Sequence, residues 1–364
     1  MIELRSSFSA KEFSCQVPDV AFAITGTRAL VTVTVSKSDS DEQVYCEHLY
    51  PASRGEVTLT EMDKLIELKA YEWLTFTLGV TIEEQRVTKG TDGSETVTAM
   101  DTRTLSTTVI TCRSNILNMT AEDWCAKRFL TLMDGPRTTA MGWQERLCYL
   151  GTETPVARAW YDEGAMQQVT LTKITSGDGL VTVNTSPQVL ASSGRRLLRY
   201  QIQAGERIQD YVVDWDVEPE VAPVLVFWNS FGVQETAYCT GELKQATSFT
   251  RSQTRVGRKK KTYLMEEKVT FKADTGILSF PMANWWREVL RSRDIVLLDV
   301  IGGQVQTGQG KPIVITQEKM ELSNAADSLP RITFEYEYAD RNHNIFDVRA
   351  EGRIFDDTFD YTFN

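Results

Sequence analysis

The sequence predicts a mainly β protein, built as two or three β-sandwich-like domains with a few short lid helices, and three observations lead there. Apolar and polar residues alternate with period two in segment after segment. Glycine, asparagine and aspartate turn signals separate those segments. Helical spacing, by contrast, shows in three short stretches only.

The alternation begins at Val31, Val33 and Val35, with threonines between them, and continues at Leu74, Phe76, Leu78 and Val80. It returns at Val169, Leu171 and Ile174, then at Val181 and Val183. Further strands are expected at Val224 to Trp228, at Val269 and Phe271, at Ile313 to Ile315, and at Ile332, Phe334, Tyr336 and Tyr338. Turns fall at Gly90 to Gly93, Gly177 to Gly179 and Gly302 to Gly303.

The first helix is expected over residues 60–68, with Thr60 as N-cap and Met62, Leu65, Ile66 and Leu68 as its apolar stripe. The second starts from Thr120, which caps with Asp123 three residues on, and runs through Trp124 to Phe129 and Leu130. The third covers residues 283–291, with Trp286, Val289 and Leu290 at helical spacing. Each is expected to pack on a sheet as a lid. A doubly wound α/β sheet would need a helix between most strands and is excluded.

At 364 residues the chain exceeds one ordinary domain of roughly 100 to 200 residues. Breaks are expected near residues 118 and 222. They give an N-terminal β-sandwich-like domain at 1–118, a second β-rich domain at 119–222, a C-terminal β-rich domain at 223–345, and an extended arm at 346–364.

Fifty acids against 39 bases leave a net charge of −11, whose field repels nucleic acid and anionic membranes. A protein partner is therefore expected, and no nucleic acid. The N-terminal residues lack the apolar stretch of a secretory signal, and no run reaches the roughly 18 apolar residues of a membrane helix. The expectation is a chain made and kept in the cytoplasm. The six cysteines, Cys15, Cys46, Cys112, Cys125, Cys148 and Cys239, are scattered and form no CxxC pair, the pattern of buried free thiols.

Few residues offer catalytic chemistry. Histidine is reduced to His48, at a strand end before Pro51, and His343, in the polar turn RNHN, so most His-based sites lose their central residue. Asp214, Asp216, Glu218 and Glu220 alternate along DWDVEPE, which would place four carboxylates on one strand face, yet no apolar pocket accompanies them. Asp39 and Asp41 lack the glycine and distal glutamate of a calcium loop. The glycine-rich segment Ile301 to Pro312 has the wrong spacing for a phosphate cradle. No enzyme activity, cofactor or metal is expected.

Two segments read as contact surfaces. Arg255, Arg258, Lys259, Lys260 and Lys261 form a basic run at the tip of a long hairpin, suited to an acidic patch on a neighbouring subunit. At the C-terminal end, Phe355 precedes Phe359, Tyr361 and Phe363, the last three on one face of an extended strand with Thr358, Asp360 and Thr362 on the other. Such an arm either closes its own sheet or adds as a strand to a neighbour.

Residues 224–253 (VLVFWNSFGVQETAYCTGELKQATSFTRSQ) and 271–298 (FKADTGILSFPMANWWREVLRSRDIVLL) resemble tail-associated structural proteins of phages and prophages of Bacteroidetes-type bacteria. Residues 50–67 (YPASRGEVTLTEMDKLIE) and the closing FDDTFDYTF are similar in kind. The resemblance implies a virion tail or baseplate component of the distal-tail type. Such proteins form homo-oligomeric rings, commonly hexameric, and bind other tail or baseplate proteins by shape, without a catalytic signature. Two rivals are a carbohydrate-binding or host-recognition β-sandwich, with Trp285, Trp286 or Trp228 as its platform, and a glycoside hydrolase using Asp214 and Asp216.

Overall fold

The computed structural model describes residues 1–37, 40–114, 119–175, 179–217, 223–301, 304–306, 310–321 and 329–339. The chain is mainly β, with several sheets and three α-helices among those residues. It forms two compact units. The first comprises Met1–Val217, Phe227–Thr236 and Asn284–Ser292, and the second the described residues of Glu218–Val226, Ala237–Ala283 and Arg293–Asn364.

The first unit opens with β1 (Glu3–Leu4), β2 (Lys11–Phe13), β3 (Val20–Ala23), β4 (Arg28–Lys37), β5 (Ser40–Leu49) and β6 (Glu56–Leu59). Helix α1 (Met62–Glu72) follows, then the long hairpin of β7 (Thr75–Lys89) and β8 (Glu95–Ile110). They make a five-stranded sheet in the order β2-β8-β7-β4-β5 and a small sheet in the order β1-β3-β6. Period two works as expected here. Ala29, Val31, Val33 and Val35 of β4 and Phe76, Leu78, Val80 and Ile82 of β7 all face one core, joined by Met62, Ile66 and Ala70 of α1. Full burial of each large aliphatic contributes about 1.5 to 3 kcal/mol.

Helix α1 departs from its expected frame. It starts at Met62 behind Glu61, whose φ of 60° places the N-cap in the left-handed region, and Thr60 does not cap it. The Glu61 N–H instead donates to Asp19 Oδ1 at 2.9 Å, so a distant loop anchors the helix start. The buried stripe is Met62, Ile66 and Ala70 at i, i+4 spacing, which leaves Leu68 exposed on the opposite face.

The unit continues with α2 (Ala121–Lys127), β9 (Arg137–Ala140), β10 (Arg146–Leu150), β11 (Val156–Tyr161), β12 (Gln167–Thr170), β13 (Lys173–Thr175), β14 (Leu180–Asn184), β15 (Leu197–Ala204) and β16 (Arg207–Asp214). Thr120 caps α2, its Oγ1 accepting from the Asp123 N–H at 3.2 Å, and the helix stops at Lys127, short of Phe129 and Leu130. A five-stranded sheet in the order β12-β11-β15-β16-β9 packs with a three-stranded sheet, β10-β14-β13, around a tyrosine-rich core in which Tyr200 stacks on Tyr211 at 4.6 Å. A further cluster gathers Phe13 and Ile110 with Trp124, Leu130, Cys148 and Phe231. The position near residue 118 therefore lies inside this unit, with buried partners on both sides of it.

The second unit is organised by a seven-stranded sheet. Its strands are β17 (Val224–Trp228), β18 (Gln234–Tyr238), β19 (Leu243–Val256), β20 (Lys259–Asp274), β21 (Ile295–Leu298), β24 (Lys311–Glu321) and β25 (Arg331–Tyr338), in the order β18-β17-β21-β24-β25-β20-β19. Helix α3 (Phe280–Arg291) lies between β20 and β21 in the chain, and β22 (Val300–Ile301) pairs with β23 (Gln304–Val305). β17, β18 and α3 each carry residues of both units. On the sheet, Phe271 stacks on Tyr336 at 5.0 Å, and Arg331 Nε pairs with Asp274 at 2.9 Å. The expected break near residue 222, and the arm at 346–364, lie outside the described residues.

Candidate functional site

The basic run sits where a hairpin tip was expected. β19 and β20 pair without interruption from Leu243 opposite Ala273 to Val256 opposite Lys259, with one bulge beside Ser252. Their two-residue turn is Gly257-Arg258, and Gly257 takes a φ of 61° that a two-residue hairpin loop requires and glycine adopts without strain. Arg255, Arg258, Lys259, Lys260 and Lys261 are all exposed.

The hairpin leaves its sheet early. β20 pairs with β25 only over Phe271–Asp274. From there to the tip the described residues of the two strands pair with one another alone, as a ribbon most of whose described side chains are exposed. Phe249, Tyr263 and Met265 stand in water on it, and Arg251 lies over the Phe249 ring at 5.3 Å. A two-stranded ribbon without a packed face is marginally stable by itself.

β19 is also an open edge of its sheet, as β5 is of the five-stranded one. Among the described residues these are the two sheet-edge strands longer than five residues. Long edges invite pairing with another chain unless charge or a bulge blunts them. β19 carries Lys244, Arg251 and Arg255 and no acid; β5 carries Asp41, Glu42 and Glu47 and no lysine or arginine. Residues of β5 are mostly exposed, and a bulge at Val44 interrupts its pairing with β4.

The first unit holds a second concentration of charge, fully buried. Arg137 at the start of β9 places Nε 3.3 Å from Glu145 and Nη1 3.1 Å from Glu235; Nη2 donates to the Thr236 carbonyl. Its guanidinium lies over the Trp285 ring at 4.4 Å. Glu235 also accepts from Thr131 Oγ1 and Trp285 Nε1, each at 3.1 Å, and from Asn229 Nδ2. Glu288 accepts from the Ser230 N–H at 2.9 Å.

Glu145, Glu235 and Glu288 are 1%, 3% and 6% exposed, so two carboxyls share the Arg137 guanidinium away from water and a third is buried near Glu235. Burial pushes Glu145 up to about 7 against the pull of Arg137. Burial, reinforced by the charge of Glu235, likewise pushes Glu288 up to about 7. Raised carboxyls are what a general acid needs, but these are closed off from water, and their bonds tie residues 131–145, 229–236 and 285–288 together. The arrangement is a structural lock.

Other sequence candidates disperse. Asp214 ends β16 and accepts from the Asp216 N–H at 2.9 Å, a turn rather than one strand face, while Glu218 and Glu220 lie outside the described residues. Trp285 and Trp286 are both buried, so neither forms an exposed platform for a sugar, and Trp228 is half-buried. His48 is exposed near the end of β5. Asp41 is exposed; Asp39, His343, Phe355, Phe359, Tyr361 and Phe363 lie outside the described residues. Four cysteines are buried, whereas Cys15 is half-buried and Cys46 exposed on β5. Among the described residues no group of three or more His, Cys, Asp or Glu is placed to hold a metal, and no helix is long and apolar enough to cross a membrane.

The sequence offered one unused signal for the buried cluster. Glu288 stands three residues after Trp285 in WWREVL, on the apolar face of α3.

No family model matches the chain, and no curated protein does. A solved structure titled "The Bacillus anthracis TIE protein" aligns over 75% of this chain and 52% of its own length at 9% identity, with a TM-score of 0.16. The aligned part thus spans about half of that protein. A score that low carries no argument about fold or role.

Proposed function

We propose that the chain is a structural subunit of a phage tail or tail-like assembly, acting through protein–protein interfaces in an oligomeric ring. The observation behind this reading is the β19–β20 ribbon, a long arm with exposed aromatic, methionine and basic residues and, among the described residues, no packed face of its own. Such an arm gains stability when a neighbour covers it. The resemblance of residues 224–253 and 271–298 to tail-associated proteins supplies the tail context. In this reading the chain's work is adhesive: sheet edges and arm hold subunits in register, and the buried charge cluster keeps the first unit rigid.

The test is to replace residues 247–269 by an Asn-Gly turn, which keeps Ala246 opposite Thr270, and to compare the variant with the full chain by light scattering and negative-stain microscopy. The full chain is expected to form rings, and the variant to be a folded monomer with unchanged circular dichroism. A full chain that stays monomeric at high concentration would defeat the reading.

A further inference from the structure

The two long terminal strands of the described sheets, β5 and β19, differ in charge, and charge decides what each can meet. β5, ten residues long, carries three acids, and β19, fourteen residues long, carries three bases. We infer that β19 of one copy pairs edge to edge with β5 of the next, a head-to-tail contact that repeats around the assembly; this rests on the assembly reading above.

Charge selects that pairing over its rivals. Two β5 edges together would oppose Asp41, Glu42 and Glu47 to a second set of the same acids. Two β19 edges would oppose Lys244, Arg251 and Arg255 to the same bases. Like charges facing each other across strands destabilise a pair, while opposite charges stabilise it. Each edge therefore rejects its own kind and accepts the other, which is specificity by repulsion as well as by attraction.

The backbone supplies the rest. Both strands present N–H and C=O groups along the open side, the requirement for adding a strand to a sheet. The apolar residues of the ribbon, Phe249 on β19 and Tyr263 and Met265 on β20, would gain cover from the neighbour's strand. A contact between two different surfaces closes as a two-fold dimer only where both edges of one copy meet both edges of the other at once. It closes as a ring when the rotation allows and otherwise grows as a filament.

Two variants of the full chain test this. Arg251→Glu with Arg255→Glu makes both edges acidic; Asp41→Lys with Glu47→Lys makes both basic. These positions spare Glu42, which pairs with Lys69 at 2.8 Å inside its own unit. Each variant alone is expected to lose assembly at least tenfold in concentration by light scattering while keeping wild-type circular dichroism. An equimolar mixture is expected to reassemble, because every acidic edge then finds a basic one.

A second readout uses the exposed thiol of Cys46 on β5. Its alkylation by a maleimide is expected to be slow in the wild-type assembly and in the mixture, and fast in either variant alone. Assembly that ignores these charges would overturn the edge pairing while leaving the assembly reading in place. Loss of assembly that mixing fails to repair would put another acidic segment on β19, such as residues 341–364, and would overturn it too. A wild-type chain that never assembles would defeat the assembly reading itself.

Discussion

The β7–β8 and β19–β20 hairpins are near twins in size, 15 and 16 residues against 14 and 16, and each carries one bulge. Their surroundings are opposite. β7 places Phe76, Leu78, Val80 and Ile82 at alternate positions and β4 pairs with it over Thr77–Gln85, so the inner half of that strand has a core beneath it, while β8 is buried only near its end, at Thr107, Val109 and Ile110. β19 reads LKQATSFTRSQTRV, with no apolar face, and its hairpin runs out beyond the sheet. Length and pairing make a hairpin; period-two apolar spacing decides whether its own unit holds it. Where that spacing is missing, the strand is left for something outside the unit.

The same contrast extends from apolar residues to charge, and the largest effect is expected there. Arg137→Ala would strand Glu145 and Glu235 without their shared cation, at a cost of about 3 to 5 kcal/mol. Arg255→Ala, on the exposed ribbon, is expected to stay within about 0.5 kcal/mol in the monomer. Urea unfolding of the two variants measures the difference; equal midpoints would mean that the buried arginine is not what offsets those carboxylates. Next in size, Leu78→Ala is expected to cost about 2 to 5 kcal/mol by leaving a cavity. Phe249→Ala should lower assembly and leave the monomer's melting temperature nearly unchanged. A matching loss of melting temperature would show that the ribbon packs on its own subunit after all.

How much of this was legible in the sequence differs region by region, for physical reasons. The β4 and β7 cores were legible because alternation of valine, leucine and isoleucine is itself the burial pattern. The basic hairpin tip was legible because Gly257 and a run of bases sit between two strand-like segments. Helix α1 was displaced because its anchor, Asp19, is 42 residues away, a distance no local rule spans. The tryptophans of α3, Trp285 and Trp286, were weighed as an exposed sugar platform. Both are buried because the apolar face of that helix is wide, with Met282, Ala283 and Val289 beside them.

The buried carboxyls were missed because glutamate in a strand or helix ordinarily marks a solvated face. Their partners, Arg137 and Ser230, come from segments 98 and 58 residues distant. Opposed edge charges on β5 and β19 were readable residue by residue. What the sequence did not supply was that both strands lie at the margins of their sheets, because strand order is a property of tertiary topology.

The smallest effect we expect concerns pH and separates the two regions by a different route. Glu145 and Glu288 are raised from an ordinary value of 4.5 to about 7 by burial, so the folded chain holds these protons more tightly than the unfolded chain does. For a raised acid the stabilisation is fully present below the unfolded value and is lost as pH rises through the folded one. Stability of the first unit should therefore decline between about pH 5 and pH 8. Glu145→Gln and Glu288→Gln remove the ionisation, keep an oxygen that can accept from Arg137 or the Ser230 N–H, and should each recover about 1 to 2 kcal/mol at pH 8 while flattening the profile. The groups facing Glu145 are Arg137, Glu235 and Tyr211; those facing Glu288 include Glu235 and, more remotely, Cys112. A double variant whose urea midpoint still falls with pH as steeply as wild type would show that the pH dependence arises elsewhere.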